Sequence, residues 1–240
     1  MAKRTTKVVR VQAELTNGAT AGEVVAPILT ISEPNMHEVA IRICGETEYC
    51  QNRFSIKARE IMRQRQAEGS TAKKGRKRDP KNFEACFEEA QYRLPDGWGI
   101  PAGAFRNALV SACRLCGFAM TVSKLAVYII ADGKDTLDGT PLVRITKGKP
   151  VCREHPVRNE SGVADIRARP FWEEGWEAVV RIRYDADVFT DTDVINLLMR
   201  VGCQVGIGEG RPDSKKSTGM GWGLFRVVET VEPEEESNDQ

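Results

Sequence analysis

The segment from Trp176 to Gly202 reads WEAVVRIRYDADVFTDTDVINLLMRVG, and it decides the fold because it holds a strand followed by a capped helix. Apolar and polar residues alternate from Trp176 to Asp185, which predicts a strand with one buried face. Thr190 then offers a hydroxyl and Asp193 a carboxylate three residues later, the pattern of a capping box. A helical apolar stripe follows and ends at Gly202.

The elements around this unit predict the fold class. Lys7–Leu15 and Gly223–Val231 alternate as strands do, and Lys124–Ala131 is rich in β-branched residues. A helix begins at Ala102, directly after a Pro, and ends at Gly117. The order strand, helix, strand, strand, helix, strand is that of an α+β, ferredoxin-like (RRM-like) core, in which two helices cover one face of an antiparallel sheet.

Long insertions are expected to interrupt this core. We predict a single domain over residues 1–228, with insertions at about 16–98 and 132–175, followed by an acidic disordered tail over 229–240. The first insertion has strand alternation at Glu38–Cys44 and helical spacing at Arg53–Gln66.

A second helix is predicted in the first insertion, over Pro80–Tyr92, with Asp79 as its cap. In the Ala102 helix, Cys113 and Cys116 both fall on the apolar stripe. The second insertion is predicted to be turn-rich, with one short strand at Leu142–Thr146.

The composition excludes several classes of protein. The chain has 240 residues, 41% of them hydrophobic, which is enough to bury a core and excludes disorder of the whole chain. No stretch approaches the roughly 18 uncharged apolar residues of a membrane span, and the basic N-terminus has no apolar signal core. We therefore expect a soluble, cytoplasmic protein with no membrane partner.

The residue types that usually carry catalysis or bind metal ions are scarce. The chain has two histidines, His37 and His155, and seven cysteines, an odd number that favours reduced thiols over a disulfide framework. The pair Cys113-x-x-Cys116 has no second pair to complete a zinc site, so we assign both cysteines to core packing. The sequence therefore favours a protein without enzymatic activity, cofactor or metal ion.

Charge is distributed unevenly along the chain. Lys and Arg number 35 and Asp and Glu 34, yet Arg53–Lys81 holds 11 basic and three acidic residues. The centre of this block, Ala67–Pro80, has no apolar anchor and predicts a mobile loop, which we call the finger. Its cations can contact phosphates, although a simply solvated loop has the same composition. The acidic tail is read as a solvating end or as a competitor of nucleic acid for the basic surface.

Val205–Gly223 is rich in glycine and reads VGIGEGRPDSKKSTGMGWG. Glycines there can permit close approach of the backbone to a ligand, and Arg211, Lys215 and Lys216 lie between them. The segment lacks the GxxxxGK[ST] pattern of a P-loop. Because it follows a helix and precedes a strand, it is not a dinucleotide-binding fingerprint either. The sequence therefore lacks the glycine motifs that would indicate nucleotide hydrolysis.

Two motifs resemble the RAMP superfamily of CRISPR proteins, and within it the backbone subunits that line up along guide RNA. One is the Ile-Pro segment that opens the first core helix, GIPAGAFR from Gly99 to Arg106. The other is the glycine-rich segment, IGEGR from Ile207 and STGMGWG from Ser217. The resemblance covers the core elements and extends to isolated, phage-like relatives outside a CRISPR complex.

The resemblance implies sequence-tolerant binding of single-stranded nucleic acid, usually RNA, by adjacent subunits, with a thumb or finger inserted before the first core helix. The finger of this chain stands at that position. Some family members cut RNA with an acidic residue after the first strand, where this chain offers only Glu23. Nuclease activity is therefore not carried over. The stretch Pro212–Ser217 is also longer than the family's compact loops, which argues against a simple guide-RNA backbone role.

Arginines beside aromatic residues form another candidate contact with nucleic acid. Arg167 and Arg169 precede Phe171 and Trp172 in IRARPFWEEGW, where aromatic rings can stack on bases or cap the core. Arg181 and Arg183, two apart on one strand, either follow a phosphate track or face solvent.

Three hypotheses follow. The first is a non-catalytic protein that binds single-stranded RNA or DNA and self-associates along it as a homo-oligomer. The second is a metal-independent ribonuclease of the same superfamily, with His155 or Glu23 as acid or base. The third is a phage protein that acts by protein–protein interaction or by mimicry of a CRISPR subunit. The predicted contacts to nucleic acid are Lys73, Lys74, Arg76, Lys77, Arg78, Arg106, Arg167, Arg169, Arg211, Lys215 and Lys216.

Overall fold

The computed structural model describes residues 33–53, 60, 63, 82–158, 164–214 and 219–231. Its strands are β1 (Met36–Gly45), β2 (Tyr49–Cys50), β3 (Arg93–Leu94), β4 (Gly97–Pro101), β5 (Val127–Ile130), β6 (Gly133–Lys134), β7 (Pro141–Lys147), β8 (Val151–Arg158), β9 (Ala164–Trp172), β10 (Glu177–Asp185) and β11 (Phe225–Val231). Its helices are α1 (Phe83–Glu89), α2 (Ala102–Ala112), α3 (Met120–Ala126) and α4 (Asp191–Arg200). Among the described residues, each helix is too short or too polar to cross a lipid bilayer.

The core is the ferredoxin-like fold that the sequence predicts. Strands β11, β1, β10 and β5 lie side by side in that order, and each neighbouring pair is antiparallel. Helices α2 and α4 pack on one face, where Phe105 and Leu198 share a core with Ile41 and Ile182. β7, β4 and β3 extend the same sheet beyond β10. The opposite face of the four-strand core carries no helix among the described residues.

The first core strand is not the one that the sequence assigns. Lys7–Leu15 lies outside the described residues, and the position beside β10 is taken by β1, which pairs along its length from Met36 opposite Asp185 to Cys44 opposite Glu177. The alternation at Glu38–Cys44 correctly predicts a strand. Its placement in an insertion is wrong, because Ile41 and Ile43 are fully buried at the centre of the sheet.

The prediction of a strand over Lys124–Ala131 is half right. Residues Met120–Ala126 form α3, and the strand begins only at Val127. Within the predicted stretch the reason is local propensity, because Lys124, Leu125 and Ala126 favour helices and its β-branched residues begin only at Val127. Leu125 is 89% exposed, so no buried strand face holds it.

The predicted start of α4 and the predicted end of the α2 region are confirmed, whereas the end predicted at Gly202 is wrong, because a π-helical turn over Val201–Val205 continues the chain to Gly206. The Thr190 hydroxyl accepts a hydrogen bond from the Asp193 backbone N–H, and the Thr190 backbone N–H donates to the Asp193 carboxylate, which completes the capping box. Gly117 ends the α2 region in a left-handed conformation with φ of 68°. Cys113 is buried as predicted, whereas Cys116 is exposed, because a tighter helical turn over 113–116 rotates it off the apolar stripe.

Two predictions for the insertions need correction. The N-terminal cap of α1 is Asn82, whose side chain accepts from the Ala85 backbone, and the helix is shorter than predicted. The stretch around residues 151–172, predicted to be turn-rich, is a long antiparallel hairpin of β8 and β9. Prolines at positions 156 and 170 conceal it in the sequence, because proline is rare inside strands. β9 also pairs with β2, which gives a second, smaller sheet.

Candidate nucleic-acid interface

One face of the β8–β9 hairpin carries a concentration of cationic and aromatic side chains. Arg153 lies opposite Arg169, and His155 lies opposite Arg167, in the antiparallel register. Side chains two residues apart on a strand point to the same face, so Arg167, Arg169 and Phe171 share this surface. We call it the hairpin face. Two of the predicted contact residues, Arg167 and Arg169, therefore lie together.

The glycine loop, defined as the described residues 206–214 and 219–223, packs against this region. The Glu209 backbone N–H donates to Cys50 at 2.9 Å, and that of Gly223 donates to Glu48 at 2.7 Å. Across the loop, the Ile207 N–H donates to Gly223 at 3.1 Å. The loop is thus fastened to the chain around β2, which itself pairs with β9.

Most of these glycines serve packing within the protein. A Cβ at Gly208 would overlap the Cys50 carbonyl oxygen, one at Gly210 the Trp222 ring, and one at Gly223 the Ile207 carbonyl oxygen. The idea that the whole segment leaves backbone open to a ligand is therefore wrong for these positions. Gly221 is different, because no described atom lies within 4 Å of a Cβ there, and its φ is +79°.

A carboxylate of the glycine loop lies between the two hairpin arginines. Glu209 accepts from Arg169 Nε at 2.8 Å and lies 3.4 Å from Arg167 Nη1. Arg167 also lies 3.9 Å from Asp165. The side chains of both arginines and of Glu209 retain between 14% and 32% of their exposure, so the group borders solvent. An anion already occupies this cationic site.

His155 lies inside an aromatic cluster on the same face. Its ring meets Phe171 edge-on at 5.7 Å and Trp222 at 5.3 Å between centroids. Burial lowers the pKa of His155, although the nearby Glu209 carboxylate opposes the shift. Its Nδ1 atom is buried and has no hydrogen-bond partner among the described residues. Burial therefore favours the neutral form of the imidazole.

The rings next to the hairpin arginines in sequence are core residues. Phe171, Trp172 and Trp176 are each at most 2% exposed. The alternative in which these aromatics stack on bases is therefore wrong, and they cap the core instead. Phe171 and Trp172 are buried because β9 lies between β8 and β2 at this point, and Trp176, beyond the end of β9, packs against Tyr49 and Phe225.

The other predicted contacts are dispersed or lie outside the described residues. Arg211 is in the glycine loop, where its Nη1 donates to the Gly208 carbonyl at 3.0 Å. Arg106 donates instead to the carbonyl oxygens of Lys124 and Val127, so it fastens α2 to the end of α3. Outside the described residues lie the finger cations Lys73, Lys74, Arg76, Lys77 and Arg78, as well as Lys215 and Lys216 and the acid candidate Glu23.

The chain enters the 54–81 stretch close to the hairpin. Arg53, one residue before it, follows β2 closely and is buried, with Asp135 at 3.0 Å and Asp138 at 3.2 Å from Nη2. Helix α1, just after the stretch, packs along β9. Helix α1, which follows the stretch, therefore borders the strand that carries Arg167 and Arg169, whereas Arg53, which precedes it, is held by Asp135 and Asp138.

The helix-free face of the core sheet is neutralised by ion pairs. Arg181 pairs with Asp132, and Arg183 Nε donates to Glu38 at 2.7 Å. Arg42 lies 2.9 Å from Glu229 in the same way. Arg181 and Arg183 both face solvent, which is the second of the two alternatives given for them in the sequence analysis. Each already has a carboxylate partner.

Sequence reasoning missed Glu209, Trp222 and Arg153. Glu209 carried a signal, since it is the single acidic residue among closely spaced glycines at 206, 208 and 210. Trp222 and Arg153 carried none, because their role depends on the hairpin register. Among the described residues, no group of three or more His, Cys, Asp or Glu side chains is arranged to hold a metal ion.

No protein-family model matches the sequence, and no curated protein matches it either. Among solved structures, a chain of the cryo-EM structure of the Type III-B Cmr-beta bound to cognate target RNA is similar to it, with 11% identity and a TM-score of 0.49. The alignment covers 82% of this chain and 60% of that one, so this chain spans less than two thirds of its neighbour's length. The RAMP-superfamily resemblance and the properties it implies stay predictions.

Proposed function

We propose that this protein binds single-stranded RNA or DNA without cutting it, and with little preference for sequence. The observation that carries the proposal is the meeting of Arg167 and Arg169 with the glycine loop at Glu209. Arg211 belongs to the same loop. The two hairpin arginines and the glycine loop thus meet at one site that borders solvent.

The spacing of the two arginines suits a polyanion. Residues two apart on a strand are separated by about 6.6–6.8 Å, and both guanidinium groups lie on one face. A guanidinium can donate two parallel hydrogen bonds to a phosphate, and such contacts carry no information about base sequence. The open backbone at Gly221 lies on the same loop, where a strand can approach closely.

Fluorescence anisotropy with labelled single-stranded RNA and DNA at two salt concentrations tests the proposal. The wild type should bind with an affinity that falls with salt, and the oligonucleotide should stay intact on a denaturing gel. The double variant Arg167→Ser/Arg169→Ser should bind more weakly. The slope of log K against log salt should fall by up to about 1.4, since each single-strand phosphate contact contributes about 0.7.

The matched control is Arg181→Ser/Arg183→Ser. It removes the same charge at the same strand spacing, from the helix-free face where both arginines have carboxylate partners. Equal losses in the two double variants would mean that only net charge matters and would refute the assignment of the hairpin face. Absence of binding by the wild type at low salt would refute the proposal as a whole and favour the protein–protein interaction role.

The finger and self-association belong to the same proposal. Replacing Lys73, Lys74, Arg76, Lys77 and Arg78 with Ser should weaken binding across all sequences and flatten the salt dependence. Unchanged affinity would remove the finger from the interface.

Homo-oligomers that form along the strand should sediment as larger species only when oligonucleotide is added, and a constant sedimentation coefficient would contradict the prediction of self-association.

A second candidate function is metal-independent cleavage of RNA. It is favoured by His155, which lies opposite Arg167 in the hairpin register and has a pKa lowered by burial. A neutral imidazole beside a phosphate-binding arginine can accept a proton from a ribose hydroxyl. Shortened RNA in buffer with a metal chelator, lost in His155→Ala while binding remains, would establish this candidate in place of the first.

A further inference from the structure

A groove of about 360 Å³ opens between helix α1 and strand β9. Phe83 and Cys86 line it from the helix, and the five residues 165–169 line it from the strand. Its volume is at the lower end of the range of small-molecule sites. Ile166 and Ala168 alternate with Arg167 and Arg169 along β9, so the groove lies along the edge of this strand, where the hairpin face meets the face covered by α1.

The two walls offer apolar surface that folding leaves partly uncovered. Phe83 is 36% exposed and Ile166 is 50% exposed, although both side chains are large and apolar. Phe83 begins α1 directly after the Asn82 cap, so the hydrogen bond of the cap fixes the start of the helix. An aromatic ring and a branched aliphatic side chain in one groove are suited to covering a flat heterocycle.

The polar side of the groove favours one kind of heterocycle. Arg167 and Arg169 line the groove together with one acid, Asp165, so cations outnumber acids in its lining and a ligand that joins a flat ring to an anion is complementary to it. A nucleotide unit of a single strand has this composition. Proteins that bind single strands commonly combine a cationic backbone track with aromatic stacking of bases.

We infer that this groove accepts one unpaired nucleobase, stacked on Phe83, of the strand whose phosphates contact Arg167 and Arg169. This inference rests on the proposed function and adds a base-binding site to it. The stacking is tolerant of base identity, because every base presents a π-face. The protein should therefore distinguish a strand with bases from a bare sugar–phosphate chain.

The test compares two oligonucleotides of equal length, one with bases and one with abasic sugars, of whichever type the wild type binds more tightly. Phe83→Ala should lower the affinity for the strand with bases about five- to tenfold, the lower part of the range for loss of one stacked base. Its affinity for the abasic strand should be unchanged. Tyr128→Ala is the control, because Tyr128 is an aromatic residue that is 54% exposed on β5.

Phe83→Trp separates stacking from folding. This variant keeps a flat ring, so it should restore the affinity, and its added fluorescence relative to wild type should be quenched by the strand with bases and not by the abasic strand. Equal losses on both oligonucleotides in Phe83→Ala, or no loss on either, would overturn the inference while the phosphate contacts stand. If the wild type binds neither oligonucleotide, the proposed function itself fails.

Discussion

Removal of the charge of Glu209 should raise the affinity for single strands. Its carboxylate lies 2.8 Å from Arg169 Nε and 3.4 Å from Arg167 Nη1, so it neutralises part of the charge that a phosphate needs. Glu209→Gln keeps the shape and an oxygen that can accept from Arg169. The backbone contact of residue 209 with Cys50 is independent of the side chain.

The size of the effect follows from counterion release. The substitution adds one unit of net positive charge at the site, which we equate with one more phosphate contact. A single-strand contact changes log K by about 0.7 per tenfold change in salt. If the added contact contributes nothing at about 1 M salt, one decade lower, at 0.1 M, it should raise the affinity about fivefold. The salt slope should steepen by about the same 0.7.

The assay is the anisotropy titration at several salt concentrations, with Glu38→Gln as matched control. Glu38 pairs with Arg183 on the helix-free face, so the control removes the same charge from an arginine outside the proposed site. Urea denaturation of each variant measures the free energy of unfolding and so shows whether the substitution has disturbed the packing of the glycine loop. Unchanged or weaker binding in Glu209→Gln, or an equal gain in the control, would refute the idea that Glu209 competes with phosphate.

Other predictions concern stability. Arg53→Met should lower the free energy of unfolding in urea by about 3–5 kcal/mol, because it removes the cation beside the buried Asp135 carboxylate. Arg144→Met breaks the exposed pair with Asp96 and should lower the free energy of unfolding by less than about 1 kcal/mol. Similar losses in the two variants would contradict this prediction. Gly223→Ala should lower the free energy of unfolding by about 2–5 kcal/mol, because the residue has a positive φ and the new Cβ overlaps backbone atoms. Gly221→Ala should lower it by only about 1–2 kcal/mol, because only the positive φ matters there. Thermal unfolding that shows Gly221→Ala to be the more destabilised variant would be inconsistent with the loop geometry. Burial lowers the pKa of His155, so on acidification the unfolded chain is protonated at this residue before the folded chain is. The free energy of unfolding should therefore fall as the pH drops through about 6.5, and it should fall less in His155→Phe. Parallel pH profiles of the wild type and the variant would contradict this.

The fold was largely predictable because local signals agree with the final structure. The alternation of Trp176–Asp185 matches strand β10, whose alternate residues are buried, and the Thr190 capping box begins α4 as predicted. The order of core elements was correct even though the first strand was misplaced. Both Lys7–Leu15 and Glu38–Cys44 alternate, and nothing local tells which of two such strands pairs with β10.

The candidate site was less predictable because it depends on pairing between distant segments. The hairpin of β8 and β9 was missed, since its exposed face gives little apolar signal and two prolines interrupt it. Without that register, Arg167 and Arg169 could be marked as candidates, but their contact with Glu209, 40 residues from Arg169, could not be seen. Arg106 shows the opposite error, because it is predicted to contact nucleic acid while its side chain is used to fasten α2 to α3.

The charge pairing of the two sheets explains why the proposed interface lies on the smaller one. On the helix-free face of the core, Arg181, Arg183 and Arg42 each have a carboxylate partner from a different segment, so a phosphate would have to displace several acids at once. On the hairpin face one carboxylate, Glu209, contacts two arginines, although Asp165 also lies near Arg167 and Glu48 pairs with Arg153. Glu209 belongs to a loop whose neighbouring residues, Gly208 and Gly210, both have positive φ. A phosphate that displaces Glu209 would reach two cations by exchange with one shared carboxylate, whereas Arg181 and Arg183 have separate partners, and we therefore place the proposed interface on the hairpin face.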